Sequence, residues 1–343
     1  MGLRWVYVLV AVLVGLVPHA GIMPTTEPTV PVVDHVVLIS VDGLNPEAIT
    51  RLGRGGTPTL HRLMVEGAST LDARTTYEST QTLPNHTSMV TGRPVTAVGG
   101  HGITFNEDDG STVRAHAGSY VASAFDVVHD NGGVTALYSG KDKLDLLDRS
   151  WDGAHGAIDR IAPPDGRDKI DAYLRAASED LTDALVTALA TAPPDLAMIH
   201  LRGPDGVGHA RGYMSDAYLD EVSNTDRLIG RLLDTIADDA ALAESTVVVL
   251  TTDHGGRGFS HADATRAVNY TIPFFVWGPG VDAGADLYAL NRDRAAPGTS
   301  RPNYDEVPQP IRNSEAANLV TELLGLGAVP DSRINADQTL DVG

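Results

Sequence analysis

The chain alternates short, continuously apolar runs with longer amphipathic ones. His35–Ser40, Val134–Tyr138, Leu196–Leu201, Thr246–Thr251 and Ile272–Trp277 are rich in β-branched residues and apolar at most positions. Apolarity without alternation marks strands covered on both faces, so these runs predict a buried parallel sheet. Pro273 cannot donate a ladder hydrogen bond, which predicts an edge or bulged strand there. Leu181–Leu189 carries good helix formers, with Thr182 or Asp183 near its start. Asp216–Ala237 places Leu219, Val222, Leu228, Leu232 and Ile236 roughly along one face. Ser314–Leu324 reads as a late helix, started by Asn313 or Ser314 and closed by Gly325. Alternation of strand and helix predicts an α/β fold: a central, mostly parallel sheet sandwiched by helices.

No internal repeat interrupts this pattern. Asp142–Asp171 is charged and rich in turn formers, a candidate small cap or surface insertion, and Asn291–Gln309 is loop-like. Residues 33–343 read as one domain. At the N-terminus, Arg4 precedes the apolar run Trp5–Val17 and then Pro18-His19-Ala20. Residues 1–20 therefore read as a signal peptide or N-terminal anchor, and 21–32 as a Pro/Thr linker. The run is shorter than the ~20 residues of a spanning helix. Pro18 makes a poor cleavage site, which keeps an uncleaved membrane tether as the alternative to secretion.

Composition narrows the chemistry. The chain has no cysteine, which excludes thiol catalysis, disulfides and Cys-type zinc sites. Its formal net charge of -20 argues against a nucleic-acid scaffold, which needs a basic face.

Three of the strand-like runs lead into acidic and imidazole groups. The first is followed by Asp42-Gly43, the third by Pro204-Asp205-Gly206-Val207-Gly208-His209, and the fourth by Asp253-His254-Gly255-Gly256. Ligands of open α/β sheets bind outside the carboxyl ends of the strands, so these groups are expected to converge at one edge. A mixture of carboxylate and imidazole suits divalent cations. Asp205 and His209 share a face if their segment is helical, although Gly206 and Gly208 argue for a tight turn instead.

A further stretch completes the pattern: Thr82-Leu83-Pro84-Asn85-His86-Thr87-Ser88-Met89-Val90-Thr91-Gly92, then His101-Gly102-Ile103-Thr104-Phe105-Asn106. Together these motifs resemble the alkaline phosphatase superfamily, in its nucleotide pyrophosphatase/phosphodiesterase (type I phosphodiesterase) branch, from Asp42 to about Gly280. The resemblance implies an alkaline phosphatase-like hydrolase over residues 33–343. It implies Thr82 as nucleophile, and one divalent metal held by Asp42, Thr82, Asp253 and His254. A second metal would be held by Asp205 and His209, with phosphoryl oxygens touching Asn106 and the Leu83 N–H. The family's remaining ligand is usually a histidine far downstream. This chain has none after His261, so His261 takes that place by analogy with relatives that use a short loop, and water is the alternative. An aromatic residue stands in many relatives where this chain has Leu83, which puts nucleobase stacking there in question. His86 and His101 read as structural, and His200 as core or surface. Lys141, Asp142 and Lys143 follow the second strand-like run and could line the pocket, with a solvated turn as the preferred reading.

The expected function is hydrolysis of a small-molecule phosphate ester through a phosphothreonine, with a diester or nucleotide pyrophosphate as substrate. Zinc is the expected metal from a nitrogen and oxygen ligand set, with manganese or iron as alternatives. A phosphomonoesterase of the same fold is the rival enzyme, with Arg202, Arg211 and Arg257 available for a dianion. A noncatalytic extracellular metal-binding protein is the rival of another class. The acidic surface does not oppose anionic substrates, because charges beyond roughly 8 Å are screened at physiological salt.

Overall fold

The computed structural model describes residues 1–2, 32–161 and 166–343. The expected signal or anchor and the linker up to residue 31 lie outside the described residues. Among the described residues no helix is long and apolar enough to cross a membrane.

The strands are β1 (His35–Val41), β2 (Ala68–Arg74), β3 (Thr135–Ser139), β4 (Ala172–Arg175), β5 (Leu196–Leu201), β6 (Thr246–Thr251), β7 (Thr271–Trp277) and β8 (Ala285–Asp286). They form one sheet in the order β4-β3-β5-β1-β6-β7-β2-β8. All pairings are parallel except those of β7 with β6 and β2. Helices cover both faces, so this is the mostly parallel α/β sandwich the apolar runs predict. Along β1, Val36 and Leu38 enter one core with Met89, Phe125 and Val320. Val37, Ile39 and Val41 enter the other with Leu185, Val222 and Ile229. Alternate side chains thus feed opposite layers, as the period of a strand requires.

Several expectations need correction. β7 lies inside the sheet, so Pro273 does not mark an edge. The other half of that expectation holds, since the pairing of β7 with β2 is irregular beside Pro273, its register slipping between Thr70 and Ala73. β2, β4 and β8 carry no continuous apolar run, which is why the pattern misses them. The helix expected from Thr182 or Asp183 begins at Ser178, with Glu179 and Asp180 in the first turn, where the helix dipole favours acids. The Asp216–Asp238 helix starts at Ser215, whose hydroxyl accepts from the Tyr218 N–H. The last helix spans Ala316–Leu323 after a 3-10 turn at Asn313–Glu315. It closes where the Leu326 N–H reaches back to Thr321 O at 2.8 Å, past Gly325 at φ +69°.

Within Asp142–Asp171, a helix at Asp145–Trp151 precedes a loop leading to β4. Trp151 is fully buried and donates to Val121 O at 2.9 Å, which fastens this segment to the body.

The registers decide where the chemistry sits. Val41 pairs with Leu201, Ser40 with Thr251, and Tyr138 with Ile199. Four parallel strands therefore end nearly level. The loops leaving β1, β3, β5 and β6 emerge together at one edge of the sheet.

Candidate metal centre

Asp42 leaves β1 and Asp253 and His254 leave β6, all three fully buried. The turn between β1 and Asp253 is tight. The Gly43 N–H donates to Asp253 Oδ1 at 3.1 Å, and Gly43 has a φ of +71°. A Cβ there would stand 3.1 Å from Asp205 Cα, so glycine lets the two loops touch. His254 Nδ1 bonds to Gly255 O at 2.8 Å. A carbonyl only accepts, so that nitrogen carries the proton and Nε2 faces the carboxylates. Nε2 lies 3.1 Å from Asp253 Oδ2 and 3.6 Å from Asp42 Oδ1. All three of these atoms are buried without a hydrogen-bond partner among the described residues. Buried polar atoms normally find partners, so three orphans aimed at one point fit a cation.

The second group is built on the Gly203–Arg211 helix, which forms despite its glycines. Pro204 opens the helix, and Gly208 lies under Tyr213, whose ring carbon would stand 2.7 Å from a Cβ there. Asp205 and His209 fall one turn apart, with Oδ1 and Nε2 at 3.4 Å. His261 arrives on the loop after β6, its Nε2 3.6 Å from Asp205 Oδ1 and 3.1 Å from His209 Nε2. His209 Nδ1 bonds to Phe259 O at 3.0 Å and His261 Nδ1 to Thr80 O at 2.6 Å. Both Nδ1 atoms are thus donors, and two Nε2 lone pairs face each other. That contact is repulsive unless a cation or an added proton stands between them. His254 stacks on His261 with ring centroids 3.4 Å apart and lies between the two groups.

Thr82 opens the Thr82–Thr91 helix and is buried. The loop before it is clamped by Asn85, which donates to Ser79 O and Gln81 O and accepts from the Thr76 N–H. The Leu83 N–H donates to Asn106 Oδ1 at 3.0 Å, so the two expected phosphoryl contacts bond to each other here. The Leu83 side chain is fully buried and cannot present a face to a nucleobase. His86 donates from Nδ1 to Thr82 O and accepts the Ser40 hydroxyl at Nε2, both at 2.8 Å. Burial pushes its pKa down to about 4, so it is a neutral brace. His101 accepts the Ile103 N–H at 3.1 Å and orders the segment leading to Asn106.

Three groups were passed over in the sequence. Lys141, expected on a solvated turn, places Nζ 2.6 Å from both Asp42 Oδ2 and Asp205 Oδ2, and 3.4 Å from Thr82 Oγ1. Arg202, Arg211 and Arg257 are exposed. His200, near the end of β5, receives the Gly140 N–H at Nδ1 (3.1 Å) and donates from Nε2 to Asp42 Oδ2 at 2.8 Å. The Tyr213 hydroxyl donates to Asp205 Oδ1. A polar residue within a buried strand was the available signal for His200. For Lys141 the signal was its place just after a strand-like run, which does not say where β3 sits in the sheet.

The electrostatics follow from three carboxylates meeting in a buried site. Burial raises the Asp42 pKa, but Lys141, His200 and His254 outweigh it and hold the carboxyl well below its usual range. Burial disfavours a charged His254, yet Asp253, Asp205 and Asp42 lift its pKa to about 9. Burial, then the charge on His254, pushes His261 down to about 4. The centre attracts positive charge.

The chain is similar in sequence and fold to several known proteins. The chain is 26% identical over 223 residues to ectonucleotide pyrophosphatase/phosphodiesterase family member 1 of Mus musculus, covering 64% of this chain and 24% of that protein. It is 26% identical over 260 residues to a bis(5'-adenosyl)-triphosphatase of Xenopus laevis, covering 72% and 52%. The chain thus spans about a quarter to a half of these relatives' length. Murine ectonucleotide pyrophosphatase/phosphodiesterase 5 shares the fold, with a TM-score of 0.63 at 15% identity over 90% of this chain and 100% of that one. A protein of the alkaline phosphatase superfamily from Vibrio parahaemolyticus has a TM-score of 0.59 at 13% identity, over 93% and 75%. The sequence profile of the type I phosphodiesterase / nucleotide pyrophosphatase family matches residues 36–323, nearly the whole described sheet and its centre, and the chain belongs to that family.

Proposed function

We propose that this protein hydrolyses phosphoric esters, foremost phosphodiesters or nucleotide pyrophosphates, with two divalent metal ions and Thr82 as nucleophile. The observation that carries the reading is the set of partnerless buried atoms on Asp42, Asp253 and His254, beside the facing Nε2 atoms of His209 and His261. Asp42, Asp253 and His254, with the Thr82 oxygen, would hold one ion; Asp205, His209 and His261 would hold the other. Nitrogen and oxygen donors without sulfur favour zinc. Bound there, the ions favour the ionised threonine hydroxyl and neutralise charge on the reacting phosphoryl group.

The chain's own residues do the rest. The Thr82 oxygen attacks phosphorus and gives its proton to solvent, the bond to the leaving oxygen breaks, and the leaving group departs as a phosphate anion or as an alcohol that takes a proton from solvent. Water then cleaves the phosphothreonine and restores the hydroxyl. With its Oδ1 held by the Leu83 N–H, Asn106 keeps its Nδ2 donors for a phosphoryl oxygen. His200 and Tyr213 hold Asp42 and Asp205 in orientation. Support for the threonine comes from an inactive threonine-to-alanine variant of the murine type 5 protein, whose structure is in complex with AMP. A secreted or N-terminally anchored protein fits the apolar run at residues 5–17, with 1–20 as signal or anchor, 21–32 as linker and 33–343 as the hydrolase domain.

The test is Thr82→Ala. Turnover of bis(p-nitrophenyl) phosphate falls by about 10³-fold or more, while zinc content measured after dialysis stays at the wild-type level. Loss of zinc in step with activity would show Thr82 to be a structural ligand rather than the nucleophile.

A further inference from the structure

Among the described residues, Phe259 is the one phenylalanine, tyrosine or tryptophan that is exposed, with 65% of its surface open to solvent. It stands on the short loop between the Asp253–His254 pair and His261, and that loop is pinned. Arg257 and Ser260 exchange backbone hydrogen bonds at 3.2 and 3.4 Å, with Gly258 at φ +64° between them. The Tyr213 N–H donates to Gly258 O at 2.7 Å, and His209 donates from Nδ1 to Phe259 O at 3.0 Å. The ring lies against Gly212, where a Cβ would stand 3.7 Å from ring carbons Cε1 and Cζ. A single exposed apolar side chain needs no explanation. A ring fixed in place, whose own carbonyl holds a proposed metal ligand, is already ordered for stacking and loses little freedom when a ligand arrives.

The side of the substrate that meets this ring follows from the chemistry. In-line displacement puts the departing oxygen opposite the attacking one, and paired metal groups divide the two between them. Thr82 belongs with the Asp42–Asp253–His254 group, which assigns the departing half of the substrate to Asp205, His209 and His261. Asp205 and His261 are buried, whereas the His209 side chain is 46% exposed, so this group meets solvent at His209, against the Phe259 loop. On the attacking side, Leu83 is buried and offers no ring.

We propose that Phe259 is a specificity-determining residue that stacks on a planar ring in the departing half of the substrate, favouring esters whose leaving group carries an aryl or nucleobase ring. The proposal deepens the phosphoryl-transfer reading above and rests on it. Stacking acts equally on the bound substrate and the transition state, so it shows in KM and not in kcat.

The experiment compares wild type with Phe259→Ala, Phe259→Leu and Phe259→Tyr at saturating zinc. Methyl 4-nitrophenyl phosphate and phenyl 4-nitrophenyl phosphate share a leaving group and differ in the group that stays on phosphorus. Methyl acetyl phosphate departs from the first only in its leaving group, acetate, which has no ring. The alanine and leucine variants are expected to raise KM on both 4-nitrophenyl diesters by about 5–10-fold with kcat near wild type, and to leave methyl acetyl phosphate unchanged. Phe259→Tyr keeps the ring and stays at wild-type values. In a Thr82→Ala background, calorimetry should show the Kd of methyl 4-nitrophenyl phosphate rising by the same factor on Phe259→Ala. Tm and zinc affinity should not move, because His209 bonds to the backbone of residue 259 and not to its ring.

A larger loss on the phenyl than on the methyl diester would place the ring on the retained side and overturn the proposal. Equal losses on methyl acetyl phosphate, or a leucine variant that behaves as wild type, overturn it as well, since bulk or loop shape would then explain the effect. If wild type with zinc cleaves none of the three esters, the phosphoryl-transfer reading itself fails, and this inference with it. If wild type cleaves the 4-nitrophenyl diesters and every variant matches it, only the role of Phe259 fails.

Discussion

Replacing His200 with leucine tests how the fold holds the first of the two proposed metal groups. The imidazole is fully buried near the end of β5 and makes two bonds there. It receives the Gly140 N–H at 3.1 Å and gives its own N–H to Asp42 Oδ2 at 2.8 Å. Leucine is similar in volume, so little cavity opens and the cost lies in the bonds. Leaving the Gly140 N–H buried and unpaired costs about 1–3 kcal/mol, and losing a bond to a carboxylate about 1.5–3 kcal/mol. A total of about 3–5 kcal/mol lowers Tm by roughly 10 °C in a domain of this size. Asp42 also loses the group that fixes its orientation, which weakens metal binding by about 10–100-fold. The loss is confined to the Asp42–Asp253–His254 group, because His200 does not touch Asp205. Thermal melts in chelator and a two-site zinc titration measure the two effects. His200→Gln, which keeps an N–H for Asp42, recovers part of both. Wild-type zinc affinity at both sites, or equal weakening of both, would refute the assignment.

Two further outcomes are expected. Gly208→Ala places a Cβ 2.7 Å from the Tyr213 ring, which also lies close against Gly256. Overpacking of about 1–3 kcal/mol outweighs the roughly 1 kcal/mol helix gain of alanine. Urea denaturation should show net destabilisation, and a variant more stable than wild type would contradict the packing argument. Glu322 is half-buried, and burial, followed by repulsion from Asp341, raises its pKa to about 7. The folded state therefore holds a proton that the unfolded chain releases near the ordinary glutamate value, so this group costs stability as pH rises from about 4.5 through 7. After discounting for its solvent exposure, Glu322→Gln should gain about 1 kcal/mol at pH 8 and almost nothing at pH 4. Stability profiles of the two proteins that run parallel across that range would rule this out.

Much of the architecture is legible in one dimension because burial on both faces leaves a continuous apolar run. β1, β3, β5, β6 and β7 carry such runs; β2, β4 and β8 do not, since an edge or a bulge tolerates polar residues. The proposed ligands were legible for a related reason. A carboxylate or imidazole directly after a buried strand has few duties other than a site at the sheet's edge. Asp42, Asp253 and His254 lie within three residues of a strand end, and Asp205 lies in the first turn of the helix that follows β5.

The order of strands was not legible, and with it went the identity of the side chains that surround those ligands. Lys141 follows β3 and His200 sits within β5. Nothing local to either residue says that β5 pairs with both β1 and β3, which brings both side chains to Asp42. The helical path of Gly203–Arg211 was equally undecided, because its glycines speak against a helix and the packing of Tyr213 over Gly208 is a tertiary contact. Local pattern determines which residue types are buried and where strands begin and end. Which charges meet is a matter of long-range register, and only packing of the whole sheet settles it.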